Sequence, residues 1–289
     1  MSTGGRVEVL PSRLRRIRHV ALDLDGTIYR GDTLFPSTLP FLKLLSELGV
    51  GYTFLTNNSS KSTRDYLTHL QRLGIGATPG QLYTSTQATI SYLRQSRPEA
   101  KRLFILGTES MIDEMRHEGF VPTFDNPSDE PDAVIVGFDT GLVFARLCRA
   151  AYWIHKGKPF IATHPDRVCP TDQPTMLVDC GSICAALERA TGRPPDAVLG
   201  KPDPCMLRGI LDRHALSEQE LAMVGDRLYT DMVMARTVGA LAVLVLTGET
   251  TMNDLKSVKV LPDLIVSGLE EFSQKLRQAR LNSSRPTAN

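Results

Sequence analysis

Two carboxylates stand two residues apart in Asp23-Leu24-Asp25-Gly26-Thr27, at the point where a predicted strand ends. The run before them, His19-Val20-Ala21-Leu22, is apolar enough to form a buried strand of a parallel sheet. Gly26 then lets the chain turn away, so both acidic side chains are expected at the carboxyl edge of that strand. Ligands bind at this edge in open α/β sheets. The stretch therefore predicts an α/β fold with a site around Asp23 and Asp25, although Asp and Gly also build ordinary turns.

The composition is that of a globular protein with balanced charge. A chain of 289 residues, 42% of them apolar, can bury a large core, and its length favours two domains. Lysine and arginine (33 residues) nearly balance aspartate and glutamate (32 residues), for a net charge of +1. This balance gives no electrostatic reason to expect a nucleic acid or an anionic membrane as a partner, so neither is predicted.

The cysteines and the apolar runs of the sequence indicate the cellular compartment of the protein. Five cysteines, an odd number, do not suggest a disulfide framework. Cys180 and Cys184 are spaced to share a helix face, but two thiols without nearby histidines make a poor zinc site, so small buried apolar residues are the favoured interpretation. No apolar run approaches the length of about 20 residues that a membrane-spanning helix needs. The reducing cytoplasm is the expected location.

The two ends of the chain are expected to be poorly ordered. Residues 1–18 are rich in arginine and lack the apolar core of a signal peptide; they are predicted to be a mobile lead, residues 1–16, followed by a basic turn. An organellar transit peptide is the alternative, against which Glu8 and the short length argue. Residues 282–289 are polar, contain a proline, and are predicted to fray.

Strand-like apolar runs alternate with amphipathic helical stretches along the chain, which is typical of α/β proteins. After the first strand, further strands are predicted at 50–55, 102–106, 133–138, 159–163, 197–200, 221–224, 241–246 and 263–266, the last at a sheet edge. Helices are predicted at 40–48, 63–73, 86–94, 110–117, 143–156, 183–190 and 205–213. The helix at 63–73 begins with a capping box, Ser62-Thr63-Arg64-Asp65.

Four separated segments end predicted strands with reactive or phosphate-binding residue types. They are Asp23/Asp25, Thr56-Asn57-Asn58, Gly200-Lys201-Pro202, and Gly225-Asp226 followed by Asp231. A parallel sheet brings successive strand ends to one edge, so we expect these groups to converge. Clustered carboxylates with a single lysine need a metal ion, and ligation by oxygen alone favours Mg²⁺.

This arrangement resembles the haloacid dehalogenase superfamily of aspartate-nucleophile phosphatases, whose four motifs occur here in the same order. It is similar in particular to the nitrophenylphosphatase-like (NagD-like, class IIA) branch. The resemblance is carried by Asp23-Leu24-Asp25-Gly26-Thr27-Ile28-Tyr29, Phe54-Leu55-Thr56-Asn57-Asn58-Ser59, Thr163-His164-Pro165-Asp166, Gly181-Ser182, Gly200-Lys201-Pro202 and Gly225-Asp226-Arg227-Leu228-Tyr229-Thr230-Asp231. These motifs are specific together rather than singly.

The resemblance implies roles for the residues of the core. Asp23 would be the nucleophile that becomes an aspartyl-phosphate, and Asp25 would first protonate the leaving oxygen and then deprotonate the attacking water. Thr56 and the backbone N–H of Asn57, in one phosphate-binding segment with Asn58, would hold a phosphoryl oxygen. The ammonium group of Lys201 would neutralise the negative charge of both the phosphate and the nucleophile.

The resemblance also implies a ligand set for Mg²⁺. Asp23, the backbone carbonyl of Asp25, and Asp226 would bind the ion. Asp231 is expected to hold Lys201 or a metal-bound water rather than to bind the ion itself. A plain carboxylate on a helix face is the alternative for Asp231. The sequence assigns no role to the neighbouring Arg227.

The predicted fold class is α/β: a Rossmann-like, doubly wound parallel sheet core with an inserted α/β cap domain. About 140 residues separate the second motif from the third, more than a crossover within the core needs. By resemblance, residues 86–197 form a mobile cap that closes over the site and selects the leaving group. Residues 1–85 and 198–289 would form the two parts of the core.

Within the cap, His164 and Asp166 resemble substrate-facing residues, and Gly181-Ser182 is expected to form a turn near them. Many relatives carry Asn where this chain has His164, and an imidazole can pair with a second anionic group. The alternative for His164 is a structural role in its loop.

The leading hypothesis is a Mg²⁺-dependent phosphatase that hydrolyses small phosphate monoesters through an aspartyl-phosphate. Candidate substrates are nitrophenyl phosphate, nucleoside monophosphates, sugar phosphates, phosphoglycolate and pyridoxal phosphate. One alternative is a phosphomutase, which would retain a sugar phosphate while it reorients, and another is a phosphoacceptor or phosphate-sensing module like a receiver domain. Dehalogenase activity is disfavoured, because Asp25 and the metal ligands serve phosphate chemistry. Relatives often dimerise through the cap, so the resemblance implies a homodimer.

Overall fold

The computed structural model describes residues 10–171 and 173–281. By contacts between residues, the chain divides into two compact units. The first unit contains the residues up to Phe54 together with those from Ile210 onwards, and the second unit contains Leu55–Gly209. The predicted cap bounds, 86 and 197, stay a prediction, because compactness alone does not assign a role to a unit.

The elements follow the alternating pattern of an α/β protein. The strands are β1 (His19–Asp23), β2 (Tyr29–Arg30), β3 (Thr33–Leu34), β4 (Gly51–Thr56), β5 (Leu82–Thr84), β6 (Arg102–Leu106), β7 (Val121–Pro122), β8 (Ala133–Val136), β9 (Phe160–Ala162), β10 (Val168–Cys169), β11 (Leu177–Val178), β12 (Ala197–Val198), β13 (Leu221–Gly225), β14 (Leu241–Val245) and β15 (Leu264–Val266). The helices are α1 (Leu10–Arg16), α2 (Thr38–Glu47), α3 (Thr63–Arg72), α4 (Ser85–Ser96), α5 (Glu109–His117), α6 (Phe144–His155), α7 (Cys180–Thr191), α8 (Cys205–His214), α9 (Val233–Val238) and α10 (Leu269–Leu281).

A six-stranded sheet has the strand order β15-β14-β13-β1-β4-β5. Strands β1, β13 and β14 are buried along their whole length, which explains why their sequences are continuous apolar runs. β1 pairs with β13 in parallel, with Leu22 opposite Val224. This register brings the ends of both strands, and with them Asp23 and Asp226, to the same edge.

The second unit contains a five-stranded parallel sheet in the order β12-β9-β8-β6-β7. Alternate residues of β6 enter different hydrophobic clusters: Leu103 and Ile105 belong to one, and Phe104 and Leu106 to the other. The first cluster includes residues of α4 and α5, and the second includes residues of α6 and α7. The sheet is therefore covered by helices on both faces, as parallel sheets require.

The predicted α/β class with parallel sheets and flanking helices is confirmed, and so are the long strands and the capping box of α3. In that box Ser62 accepts the Asp65 N–H, and the Asp65 side chain accepts the Ser62 N–H. The short pairs β2-β3 and β10-β11 form small antiparallel hairpins that the sequence did not predict.

Two local predictions are wrong. The segment before β1 is a helix, Leu10–Arg16, and not a basic turn, because Leu14 is buried and Arg13 pairs with Asp263 at 2.6 Å. Gly181-Ser182 lies inside α7 and not in a separate turn, because Asp179 caps that helix two residues earlier. The predicted mobile lead and frayed tail fall largely outside the described residues, at 1–9 and 282–289.

Candidate active site

The turn after β1 gives its two acidic residues different environments. Asp23 is the last residue of the strand, is 8% exposed, and accepts the Thr27 hydroxyl at 3.3 Å. Gly26 has a φ of 83°, a conformation that glycine adopts without strain, and its N–H donates to the Tyr29 carbonyl. Asp25, between them, is exposed to solvent. The turn thus holds one carboxylate at the sheet edge and presents the other outwards.

Three carboxylates of the first unit converge at this edge. Oxygen atoms of Asp23, Asp226 and Asp231 lie within 4.8 Å of one another, and all three residues are buried. Glycines make room for them, since a Cβ at Gly225 would collide with the Asp231 carboxyl group and a Cβ at Gly26 would lie 2.5 Å from Asp226 Oδ2. Glycine at positions 26 and 225 is therefore needed for the Asp226 and Asp231 carboxyl groups to pack at this edge.

The surroundings of Asp226 fit a hard cation. Its Oδ2 accepts the Glu249 N–H at 2.6 Å, while its Oδ1 is buried and has no hydrogen-bond partner within 10–171 and 173–281. Burial first, and then the charges of Asp23 and Asp231, raise the pKa of Asp226 to about 7. A buried oxygen without a partner costs about 1–3 kcal/mol. An ion bound by oxygen atoms would remove that cost, and carboxylates alone favour Mg²⁺ over a softer metal.

A loop after β14, residues 247–250, supports the acidic cluster and was not recognised from the sequence. Besides the Glu249 N–H on Asp226, the Thr247 hydroxyl donates to the Gly26 carbonyl at 2.6 Å. The Glu249 carboxylate pairs with Arg227 Nε at 2.9 Å. Arg227, to which the sequence assigned no role, is thus part of the surroundings of the acidic cluster. The available signal was that Thr-Gly follows a predicted strand, as the other site segments do.

In the second unit, the segment after β4 folds back on itself. Thr56 Oγ1 accepts the Asn58 N–H at 3.2 Å, and Asn58 Oδ1 accepts the Ser60 N–H at 2.9 Å. Thr56 and Asn57 are buried, whereas Asn58 is half-buried. The Tyr66 hydroxyl, on α3, donates to the Asn58 carbonyl at 3.2 Å. The side chain of Asn58 thus shapes the loop, and its role in binding phosphate stays a prediction.

Asn57 and Lys201 lie together in this unit. Asn57 Oδ1 accepts the Lys201 N–H at 2.6 Å, and Asn57 Nδ2 donates to the Lys201 carbonyl at 2.9 Å. Lys201 is only 4% exposed. Gly200, with a φ of 71°, precedes it in the left-handed region that disfavours other residues.

His164 has a different environment from that of a residue open to substrate. Its ring has no exposed surface, its Nε2 lies 3.4 Å from Ser59 Oγ and 3.5 Å from Asp179 Oδ1, and its Nδ1 lies 3.6 Å from Asp166 Oδ2. Burial, opposed by the charge of Asp166, lowers the pKa of His164 to about 4. The imidazole is therefore neutral at neutral pH, and a direct contact of His164 with substrate stays a prediction.

The predicted site residues thus fall into two groups, each brought together inside one unit. The first group is acidic: Asp23, Asp226 and Asp231, with Asp25 at its edge. The second group joins a lysine to polar side chains: Asn57, Lys201, His164 and Asp166, with Thr56 and Asn58 in the adjoining loop. The convergence of both groups on one phosphate stays a prediction.

Comparison with known proteins identifies the family and the relatives of this chain. A family model of haloacid dehalogenase-like hydrolases matches residues 20–121, and a HAD-hydrolase-like model matches residues 198–272. The chain is 32% identical over 256 residues to the ribonucleotide monophosphatase NagD of Escherichia coli (strain K12), covering 89% of this chain and 98% of that protein. It is 29% identical to an acid sugar phosphatase of Staphylococcus aureus, covering 92% of this chain and 100% of that protein.

Solved structures agree. A 4-nitrophenylphosphatase from Thermotoga maritima matches with a TM-score of 0.85 and 38% identity, over 91% of this chain and 98% of that one. A glycerol phosphate phosphatase from Mycobacterium tuberculosis, solved in complex with magnesium, matches with a TM-score of 0.83 and 30% identity, over 91% of this chain and 79% of that one.

The parallel sheet and these relatives define a hydrolase of phosphoric monoesters. The chain belongs to the haloacid dehalogenase-like hydrolases, in their NagD-like branch of phosphatases. The family and the enzyme class expected from the sequence motifs are thereby confirmed.

Proposed function

We propose that the protein is a Mg²⁺-dependent phosphatase that hydrolyses small-molecule phosphate monoesters through an aspartyl-phosphate on Asp23. The observation that carries the proposal is the buried carboxylate cluster of Asp23, Asp226 and Asp231, in which one oxygen of Asp226 lacks a hydrogen-bond partner among the described residues. A relative solved with magnesium supports the choice of ion.

The proposed chemistry follows from the two environments in the turn after β1. Asp23, held at the sheet edge, would attack phosphorus while the ester oxygen leaves and takes a proton from the exposed Asp25. A water molecule would then attack the same phosphorus, give its proton to Asp25, and restore Asp23 as phosphate departs. Mg²⁺, held by Asp23, Asp226 and the Asp25 carbonyl, would supply positive charge that stabilises the transferring group.

The second group of residues would bind the phosphoryl oxygens. Thr56, the last residue of β4, and Asn57, which follows it, are both buried, so the Thr56 hydroxyl and the Asn57 N–H would be donors held on a fixed main chain. Lys201 would add positive charge, and Asp231 would hold Lys201 or a metal-bound water. The reaction that these groups serve is among the slowest known without a catalyst.

The leaving group would be selected by the cap, residues 86–197. The relatives are named as a ribonucleotide monophosphatase, an acid sugar phosphatase, a 4-nitrophenylphosphatase and a glycerol phosphate phosphatase. We therefore place nucleoside monophosphates and sugar phosphates in the substrate range, with nitrophenyl phosphate, phosphoglycolate and pyridoxal phosphate as further candidates. The assembly proposed is a homodimer through the cap, which light scattering in solution would test.

A reducing, cytoplasmic location is proposed as well. No disulfide joins the five cysteines, all of which lie in the described part of the chain. No helix among residues 10–171 and 173–281 has both the length and the apolar character needed to cross a bilayer.

The experiment is a metabolite panel assayed with Mg²⁺ and after chelation, together with acid-quench trapping of phosphoenzyme. We expect turnover only with Mg²⁺, no phosphoenzyme in Asp23→Asn, and a loss of about 10²–10⁴-fold in Asp25→Asn from the missing proton transfer. Near-normal activity of Asp23→Asn would exclude it as the nucleophile. Stable phosphate on Asp23 would instead indicate a phosphoacceptor, and transfer to a second sugar hydroxyl would indicate a mutase.

A further inference from the structure

The side chain of Asn57 holds the main chain of Lys201 in both directions. Its amide oxygen accepts the Lys201 N–H at 2.6 Å, and its amide nitrogen donates to the Lys201 carbonyl at 2.9 Å. The two residues are 144 positions apart in the chain, and both are almost fully buried. One planar amide therefore satisfies the donor and the acceptor of a single buried residue, as a neighbouring strand would.

The contact between Asn57 and Lys201 requires a glycine at position 200. A Cβ on Gly200 would lie 2.7 Å from Asn57 Oδ1 and 2.8 Å from His164 Cβ. Any larger residue would displace the Asn57 amide, in addition to the strain of a positive φ. The main chain of Asn57 is fixed too, because its carbonyl accepts the Ser85 hydroxyl at 2.5 Å.

A third partner sets the orientation of the amide. Asn57 Nδ2 also donates to Asp166 Oδ2 at 3.1 Å, and that oxygen lies 3.6 Å from the Nδ1 atom of the buried His164. If the amide were flipped, its oxygen would face two acceptors, the Lys201 carbonyl and the Asp166 carboxylate. The three contacts together specify one rotamer of Asn57 and one placement of the Lys201 main chain.

We propose that the Asn57 side chain is a positioning residue for Lys201, fixing the main chain from which the ammonium group is presented to phosphate. The inference rests on the role of Lys201 in the proposed function. The backbone N–H of Asn57, to which phosphate binding was assigned above, remains after substitution of the side chain. The two contributions of this residue can therefore be separated.

The test is a double-mutant cycle with inorganic phosphate as the probe, titrated in a calorimeter in the presence of Mg²⁺. The proteins are the wild type, Asn57→Ala, Lys201→Ala and the double variant, each as the full chain. We expect Asn57→Ala to weaken phosphate binding by about tenfold when Lys201 is present and by less than about twofold when it is absent. The reason is that a displaced main chain affects phosphate only through the ammonium group.

The outcomes separate the inference from the proposed function. An equal loss in both backgrounds, or no loss in either, overturns the positioning role of Asn57 and leaves Lys201 in place. If Lys201→Ala binds phosphate as the wild type does, the assigned role of Lys201 fails, and the inference about Asn57 fails with it. A loss confined to the background that retains Lys201 supports the positioning role.

A second variant keeps the test decisive if Asn57→Ala does not fold, as judged by thermal unfolding. Asn57→Asp preserves the size and the acceptor for the Lys201 N–H, but it places a carboxylate oxygen against Asp166 and the Lys201 carbonyl. We expect its phosphate affinity to fall at least tenfold, and wild-type affinity would overturn the inference. Asn126→Ala is the matched control, because its exposed side chain accepts the Ser128 N–H and its affinity should not change.

Discussion

Asp226 is a buried carboxylate whose surroundings would suit a bound cation. It is 3% exposed, one carboxylate oxygen accepts the Glu249 N–H, and the other has no hydrogen-bond partner in the described parts of the chain. Burial and the charges of Asp23 and Asp231 raise its pKa to about 7. The negative charge of Asp226 is therefore disfavoured by its surroundings, and a bound cation would favour it.

The first prediction concerns this residue. Asp226→Asn keeps the shape of the side chain but removes its charge, so it should raise the Mg²⁺ concentration for half-maximal activity by about tenfold or more. Titration of Mg²⁺ against activity and against heat of binding measures the change. Asp113→Asn, an exposed carboxylate on α5, is the control. An unchanged Mg²⁺ dependence in Asp226→Asn would place the ion elsewhere.

The residue scale also shows where the sequence is informative. The proximity of Asp23 and Asp226 was predictable, because each lies where a buried strand ends and parallel strands end at one edge. The contact between Asn57 and Lys201 was not, since an amide that binds the main chain of another residue leaves no pattern of its own. The one related signal in the sequence is the glycine at position 200, where the structure leaves no room for a side chain beside Asn57.

Strand β1 carries a second titratable group, at its opposite end from Asp23. His19 is 4% exposed, its Nε2 lies 2.8 Å from Thr53 Oγ1, and its ring stacks on His214 with centroids 4.2 Å apart. Burial first, and then the neighbouring His214, lower the pKa of His19 to about 4 from 6.5. The charged imidazole is therefore disfavoured in the folded protein.

The second prediction links this strand to stability. Between about pH 6.5 and about pH 4 the unfolded chain binds a proton at His19 that the folded protein does not, so the free energy of unfolding should fall as the pH drops. Each unit of the pKa difference is worth about 1.4 kcal/mol. His19→Gln should flatten that part of the decline in urea unfolding experiments, while the exposed His155→Gln should not. An unchanged slope in His19→Gln would mean that its ring is accessible to protons in the folded state.

At the scale of elements, long buried strands were the easiest to predict, whereas the 13-residue helix α10 was not predicted. Strand β6 has four consecutive buried residues and β13 has five, and such runs stand out in the sequence. The hairpins β2-β3 and β10-β11 have two residues per strand, too few for any periodicity. The start of α7 was predicted three residues late, because Gly181 and Ser182 are residue types that also favour turns.

At the scale of the whole molecule, catalysis and selection would be divided between different parts of the chain. The core residues named in the proposed function would act on the phosphoryl group and on the proton of the leaving oxygen, which are common to all phosphate monoesters. Discrimination must therefore come from residues that meet the leaving group, and the proposed cap is the large surface without another role. Within it, the Asp166 side chain retains 12% exposure, while His164 has none. His164 would then influence selection by holding Asp166.

The last prediction is that His164→Ala and Asp166→Ala change the relative kcat/KM among metabolites far more than they change activity on a small aryl phosphate. A site that hydrogen-bonds a polar leaving group discriminates strongly against one that lacks the matching group. Asp166 also contacts Asn57, but a shift of Lys201 would affect all esters alike, so it cancels in the ratio of kcat/KM between two substrates. The panel of phosphate esters, run on both variants and the wild type, measures these ratios. Ratios that stay constant while all rates fall would assign both residues to holding the phosphate loop, and selection would then belong to other residues of the cap.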